Sequence, residues 1–464
     1  MPLRNLLVLF AAAVFSLLCY ERAARNRYVG ALTEAMNIID QNYVQPVDSR
    51  ELFEGAMEGM LNKLDPYSSY TNPKDTRRFK EGLDQRFGGI GILVEINPES
   101  KRLTVMNPLV GTPAHKAGIK PGDTILKIGE QDTKDMPLER SVNLMRGPEG
   151  SEVTVTLQHA GEKSPYVLTL TRARIPIESV LGDLRLPDGS WDFHLQEDRR
   201  IGLVRIGTFG EETATEFRKA LATFGEPGQE IEALVVDLRS NPGGLLSTAT
   251  EVCDMFLDEG DIVETRGRED VVTHVSRAEP GVLVPRDIPV VVMVDRYSAS
   301  ASEIVSACLQ DHHRAVICGE RTWGKGTVQT VRQLEGGRSA MRLTTATYWR
   351  PSGKNIHKKQ DAKDEEEWGV VPDAGFSVVL TDDEREKMVK ARRDKDIAGL
   401  RSESPASSKP KPKNPATTDA PPAPQVEDDP TAESPVAPLV EEPFDDPQMR
   451  KAIDYLLQKM TESN

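Results

Sequence analysis

Cysteine is scarce in this chain. Four among 464 residues are too few and too scattered for a disulfide framework. Cys19 falls in an N-terminal apolar run. Cys253, Cys308 and Cys318 each sit in apolar stretches that suit a buried small hydrophobe, and a disulfide between two of them stays open. Metal-ligand spacing is lacking as well: Cys308 and His312 stand i, i+4, but the adjacent His313 cannot share that helix face and no second pair follows. No metal site and no cofactor are expected. Positive charge is also in deficit, and a formal net charge of -15 argues against nucleic acid as a partner. A phosphate loop is only half present. Gly319, Gly324 and Lys325 open G-x-x-x-x-G-K, but Gly326 stands where a Ser or Thr would hold magnesium, and the acid-ended strand at 234–237 precedes the loop. An NTPase is set aside.

At the start, Arg4 precedes an uncharged run over 5–20, followed by Glu21 and Arg22, the pattern of a secretory signal. No A-x-A cleavage site follows, and leucines precede Cys19 where a lipoprotein site would want a small residue. The expectation is an uncleaved signal anchor in 1–22 that holds an exported, periplasmic or otherwise extracytoplasmic protein to the inner membrane through 5–20. Sixteen residues are short for a span, so a cleaved signal is the alternative. Helical periodicity marks 25–85, with Leu32, Met36 and Ile39 in one run and Leu52, Ala56, Met60 and Leu61 in another. From 174 to 395 short apolar runs at 201–206, 233–238 and 289–294 alternate with helical segments, as in a sheet of buried strands. The stretch 396–443, rich in Pro, Ala, Ser and acid, reads as a disordered linker. Residues 444–464 regain a helical stripe through Met449, Ile453, Leu456, Leu457 and Met460.

The chemistry concentrates at 295–329, DRYSASASEIVSACLQDHHRAVICGERTWGKGTVQ. A strand ends, small residues turn the chain into a helix, and Ser298, Ser300 and Ser302 alternate with alanines. A serine at a helix N-terminus has free N–H groups beside it that suit a developing oxyanion. No histidine stands in an obvious partner motif, so Lys325, between two glycines, is the candidate base. It must be neutral to act, which means lowering its pKa from about 10.4 toward about 7, roughly 4 kcal/mol. Burial among Gly324, Gly326, Trp323 and Val328 is the expected means. Gln329 offers an amide on the same strand face as Lys325 and Thr327.

These blocks, S-A-S-A-S-E, then Asp311, then G-E-x-T-x-G-K-G-x-V-Q, resemble the active site of the carboxy-terminal processing proteases, family S41 of the serine peptidases. The resemblance implies Ser300 as nucleophile, Lys325 as general base, Gln329 as its orienter, and Glu303 and Asp311 as supporting acids. R-S-N-P-G-G at 239–244 looks like the family's oxyanion loop, with Gly243 or Gly244 paired with the N–H of Ala301. GGIGI at 88–92 lacks the third glycine of a dinucleotide fingerprint. With GTPAHKAGIKPGDTILKIG at 111–129 it resembles a PDZ domain over 86–173, in which the N–H groups of Gly89, Ile90, Gly91 and Ile92 meet a C-terminal carboxylate. Arg146 matches an arginine near the junction of PDZ and protease. The implied fold is α+β multidomain: a crotonase- or ClpP-like α/β protease core, an inserted PDZ domain and an N-terminal helical segment. The implied partners are protein substrates held by apolar C-termini, an adaptor lipoprotein, and a second copy through the N- and C-terminal helices, the last helix packing on the N-terminal ones of its own chain or of a second. The alternative is an inactive PDZ scaffold.

Overall fold

The structure, a computed structural model, describes residues 5, 10, 12–16, 27–73, 86–98, 100–109, 111–162, 164–359, 361–363, 366–401 and 444–463. Most of the expected signal anchor and the segment 402–443 lie outside the described residues. Two compact units are present, one drawing on residues 1–78 and 329–345, the other on 79–328 and 346–464.

In the first unit, α1 (Arg27–Asn42) and α2 (Ser49–Leu61) precede β1 (Ser69–Thr71), which pairs antiparallel with Ala340 to Arg342. Asp48 caps α2 by accepting the N–H of Arg50. The Arg50 guanidinium then reaches Glu54 and Glu335 at 2.6 Å and the Tyr70 hydroxyl at 2.7 Å, tying helix, strand and the segment around Glu335 together. Tyr28, Val29, Leu32 and Ile38 of α1 remain exposed in the single chain.

The second unit begins with an antiparallel sheet in the order β2 (Ile92–Ile96), β3 (Leu103–Pro108), β4 (Thr124–Ile128), β5 (Glu152–Gln158), β6 (Tyr166–Thr171), with α3 (Leu138–Met145) between β4 and β5 in sequence. Its core is the alternate residues that point inward, Leu103, Val105, Ile125, Val155 and Leu157 among them. Among the described residues β2 is paired on one side only, which makes it an edge strand. Gly91 precedes it with φ of 75°, and a Cβ there would lie 2.4 Å from that of Thr112. Only glycine fits.

The larger sheet has the order β7 (Val180–Leu181), β8 (Ile201–Ile206), β9 (Ala233–Asp237), β10 (Val290–Val294), β11 (Val316–Gly319), parallel apart from β7. Such strands must be covered on both faces. Leu234, Val236, Val290, Val292 and Ile317 meet α4 (Thr213–Thr223), α5 (Leu246–Asp254) and α6 (Ala301–Asp311) through Phe217, Val252, Ile304 and Val305. The alternate residues Ala233, Val235, Val291, Met293 and Cys318 face Ala452, Ile453, Leu456 and Met460 of α8 (Pro447–Ser463). Here the structure corrects the sequence reading. The tail stripe packs on the core sheet, where the resemblance had it packing on the N-terminal helices, because that sheet face needs an apolar cover. A second difference concerns the helix Asp382–Arg401, α7, which continues past position 396, where the linker was expected to start.

Candidate active site

Three loops leave the carboxyl ends of three neighbouring parallel strands: Arg239 to Gly244 after β9, Asp295 to Ser300 after β10, and Glu320 to Gly326 after β11. Parallel sheets place their sites at this edge, since the strands all deliver their following loops there. Ser300 ends the middle loop with φ of 56° and ψ of -111°. A non-glycine residue held there is strained, and strain of this kind persists only where surrounding contacts impose it.

Those contacts converge on Glu303, which is fully buried. Its Oε2 accepts the N–H of Ser300 and the N–H of Lys325, each at 2.8 Å. Its Oε1 accepts the N–H of Gly324 at 2.7 Å and the hydroxyl of Thr322 at 2.5 Å. One carboxylate therefore keeps the backbone nitrogens of the serine and the lysine within two hydrogen-bond lengths of each other. Burial pushes its pKa above the ordinary range, and the four donors pull the other way. All four donors need acceptor lone pairs, so the ionised form is the one this cage fits.

The lysine loop is fastened further. Trp323 donates its N–H to the Ser298 carbonyl, Lys358 to that of Gly324, and Tyr348 to that of Gly326. A Cβ at Gly326 would lie 2.3 Å from the His357 nitrogen, and one at Gly324 would meet Lys358 and Trp368, which explains the glycines on either side of Lys325. Lys325 is half-buried, but Trp323, expected to cover it, is 50% exposed. Trp368 and Lys358 close over the loop instead. The strand that follows begins at Thr327, so Lys325 precedes it, and Gln329 lies on that strand, its amide donating to the Thr344 hydroxyl at 3.3 Å.

The first loop lies directly against the serine. A Cβ on Gly243, at φ of 98°, would come within 2.6 to 2.9 Å of Ala299 O, Ser300 Cβ and Ala301 N. The Gly243 N–H is already given to Asn241 Oδ1 at 2.8 Å, while that of Gly244 has no hydrogen-bond partner among the described residues. Ala301, first in its helix, has no intrahelical acceptor for its N–H. Asp311 is elsewhere. It stands about 16 Å along α6 from Ser300 at 1.5 Å per residue, where it takes both arms of Arg350 and the N–H of Ser352. Arg146 also stands outside this cluster, its guanidinium 4.2 Å from the Phe87 ring centre. In the loop before β2, the carbonyl of Ile90 accepts from Ala114 and that of Gly91 from Leu109.

A model of peptidase family S41 matches residues 200–375, a PDZ domain model residues 83–158, and one of the N-terminal domain of the activating protease CtpB residues 21–76. The chain is 36% identical over 367 residues to a carboxy-terminal-processing protease of Bartonella bacilliformis, covering 76% of this chain and 79% of that one. It is 34% identical to the carboxy-terminal processing protease CtpB of Bacillus subtilis, covering 72% of this chain and 67% of that one. The chain belongs to the carboxy-terminal processing proteases of family S41. It is a serine-type peptidase with a PDZ domain, and its substrates are proteins. A solved photosystem II D1 C-terminal processing protease is also similar, at 27% identity and a TM-score of 0.41, covering 80% of this protease and 97% of that chain.

Two side chains in the protease's site escaped the sequence reading. Asn241 fixes the first loop through its amide, donating to Ile206 O at 2.7 Å while accepting from Gly243. Its i to i+2 bond is an Asx turn, a signal legible in Asn-Pro-Gly-Gly. Tyr348 is buried, and burial pushes its phenol pKa up, an effect that interaction with the Ser300 side chain partly offsets. Nothing in an alternating strand sequence marks it. No group of three or more His, Cys, Asp or Glu among the described residues forms a metal cage.

Proposed function

We propose that this protease is an exported endopeptidase with a Ser-Lys dyad that captures apolar protein C-termini on its PDZ edge strand and cuts near the captured end. The observation that carries this reading is the shared Glu303 Oε2, which fixes Ser300 and Lys325 as one unit. Ser300 Oγ attacks the scissile carbonyl carbon as neutral Lys325 takes the hydroxyl proton. The oxyanion is met by the N–H groups of Gly244 and Ala301; the commitment of the Gly243 nitrogen to Asn241 favours Gly244. Collapse breaks the C–N bond, and the lysine returns its proton to the leaving amine. Water, deprotonated by Lys325, then attacks the ester carbonyl, and Lys325 returns that proton to Ser300 Oγ as the acyl–oxygen bond breaks. A crotonase- or ClpP-like core is supported by the parallel sheet with its strand-end loops.

Substrate capture follows from the one-sided β2 and the glycine turn before it, where a chain end adds as a strand and its carboxylate meets the N–H groups of 89–92. Arg146 relays occupancy to the protease core. Export rests on the N-terminal sequence, and among the described residues no helix is long and apolar enough to cross a membrane. An adaptor lipoprotein would deliver substrates, and pairing of two copies through the exposed apolar residues of α1 would bury them.

The test is to incubate the protease and its Ser300→Ala variant with a protein ending in an apolar residue. The wild type cuts and the variant binds without cutting. A scaffold would bind and cut in neither form, which overturns the reading. Amidating the substrate's C-terminus is expected to weaken capture about tenfold or more, measured by fluorescence anisotropy, because the carboxylate is met by several donors at once.

A further inference from the structure

Arg239 opens the loop that ends at Gly244, and its guanidinium is wholly buried. Four groups hold it, the Met388 sulfur of α7 at 3.3 Å from Nη1 being the weakest. Asp237 accepts from Nε at 3.1 Å and from Nη2 at 2.9 Å. Asp446 accepts from Nη1 at 2.8 Å, and Gln448 from the same nitrogen at 2.9 Å. The last two belong to the start of α8, more than two hundred residues away in sequence. Asp446 does double service there, since its other oxygen accepts the N–H groups of Gln448 and Met449 and so caps the helix. Gln448 is anchored in turn by donating to Val378 O at 2.7 Å. Asp237 takes a second cation, Arg392 of α7. Burial alone would raise the Asp237 carboxyl, but the two guanidiniums hold it well below the usual carboxylate range.

The next residue extends the connection. Ser240, at φ of 60°, gives its N–H and hydroxyl to Asp295 at 2.9 and 3.1 Å. Asp295 also accepts the N–H groups of Tyr297 and Ser298, so the same carboxylate shapes the turn that presents Ser300. An ion cluster buried this deeply is a poor way to gain stability compared with apolar contact, whereas fixing a register is the best-attested use of one. The apolar contact is already present: Ala452, Ile453, Leu456 and Met460 hold α8 on the sheet without any help from Asp446.

We propose that the start of α8 is a positioning element for catalysis, in which Asp446 and Gln448 fix Arg239 and thereby set the Arg239–Gly244 loop against Ser300. The proposal rests on the Ser-Lys reading with an oxyanion donor in that loop. Asp446 and Gln448 touch no reacting atom and reach the loop through Arg239.

The experiment compares Asp446→Asn, Asp446→Glu, Gln448→Ala and Leu456→Ala in the full chain. It measures kcat and KM on a peptide substrate, labelling of Ser300 by a fluorophosphonate probe, and thermal unfolding. Asp446→Asn is expected to lower kcat and the labelling rate about ten- to a hundredfold with KM within about twofold, as for a displaced oxyanion donor. Asp446→Glu restores most of the loss, and Gln448→Ala gives a smaller loss of the same kind. Leu456→Ala lowers the unfolding temperature at least as much as Asp446→Asn but leaves kcat unchanged well below that temperature. The proposal is overturned if Asp446→Asn and Gln448→Ala both keep wild-type kcat, or if Leu456→Ala lowers kcat in step with its melting temperature. Should Asp446→Asn fail to fold, Gln448→Ala and Asp446→Glu decide. Failure of the Ser-Lys reading is separately visible, because the wild type would then not label at Ser300, or Lys325→Ala would keep more than a tenth of the activity.

Discussion

Lys325→Ala is expected to reduce kcat/KM by about 10⁴-fold or more, with PDZ binding of a C-terminal peptide unchanged. Without a base the Ser300 hydroxyl keeps its proton, and what survives is the contribution of substrate binding and two oxyanion donors. Lys325→Arg should be no better, because a guanidinium does not release its proton at any working pH. The double variant Ser300→Ala, Lys325→Ala should be little worse than either single one, since in the proposed dyad the two side chains act as one device. Steady-state kinetics with a chromogenic peptide measures all three. If Lys325→Ala retains more than a tenth of the activity, another base must serve and the dyad is wrong.

Glu303→Gln is the second large effect. Each carboxylate oxygen accepts two donors, Thr322 and Gly324 on Oε1, Ser300 and Lys325 on Oε2. A glutamine must turn its NH₂ toward one pair or the other. Either choice sets donor against donor in a buried place, at a cost of about 2 to 4 kcal/mol in stability. If the amide faces Ser300 and Lys325, the loops separate and kcat falls by about 10² to 10³, as when a reacting pair loses its alignment. If it faces Thr322 and Gly324, the same loop is disturbed one residue earlier. Chemical denaturation and kcat together test this. A glutamine variant of full stability and activity would mean that the shared carboxylate does not hold the pair.

Much of this arrangement was legible because it is local. The strands around 201–206 and 233–237 announce themselves as apolar runs, and the three loops keep their small residues in contiguous blocks. Ser300 and Lys325 stand in such blocks, and the structure brings their backbones to one carboxylate. What the sequence hid is what folding brings together from far away. Glu303 appeared only as a supporting acid, because its tie to the Lys325 backbone spans a strand. Asp311 sat in the same helix and looked equivalent, yet eleven residues of helical rise carry it to Arg350. Tyr348 reaches Ser300 from a strand whose alternation gives no hint of it. The partnership of Arg239 with Asp446 crosses more than two hundred residues, and no local pattern encodes a pairing of that kind. Trp323 misled for a different reason: tryptophan is usually well covered, but this one lies on a loop crest while Trp368 does the covering.

The placement of α8 has a consequence in time. Its apolar face completes the sheet that launches all three loops, and its first turn grips the loop beside the nucleophile. A chain still being made would carry its serine and its lysine long before residues 444–463 exist. On the proposed role of α8, such a chain would hold its Ser300 and Lys325 without the grip on Arg239, and its peptidase activity would wait for that helix to be made.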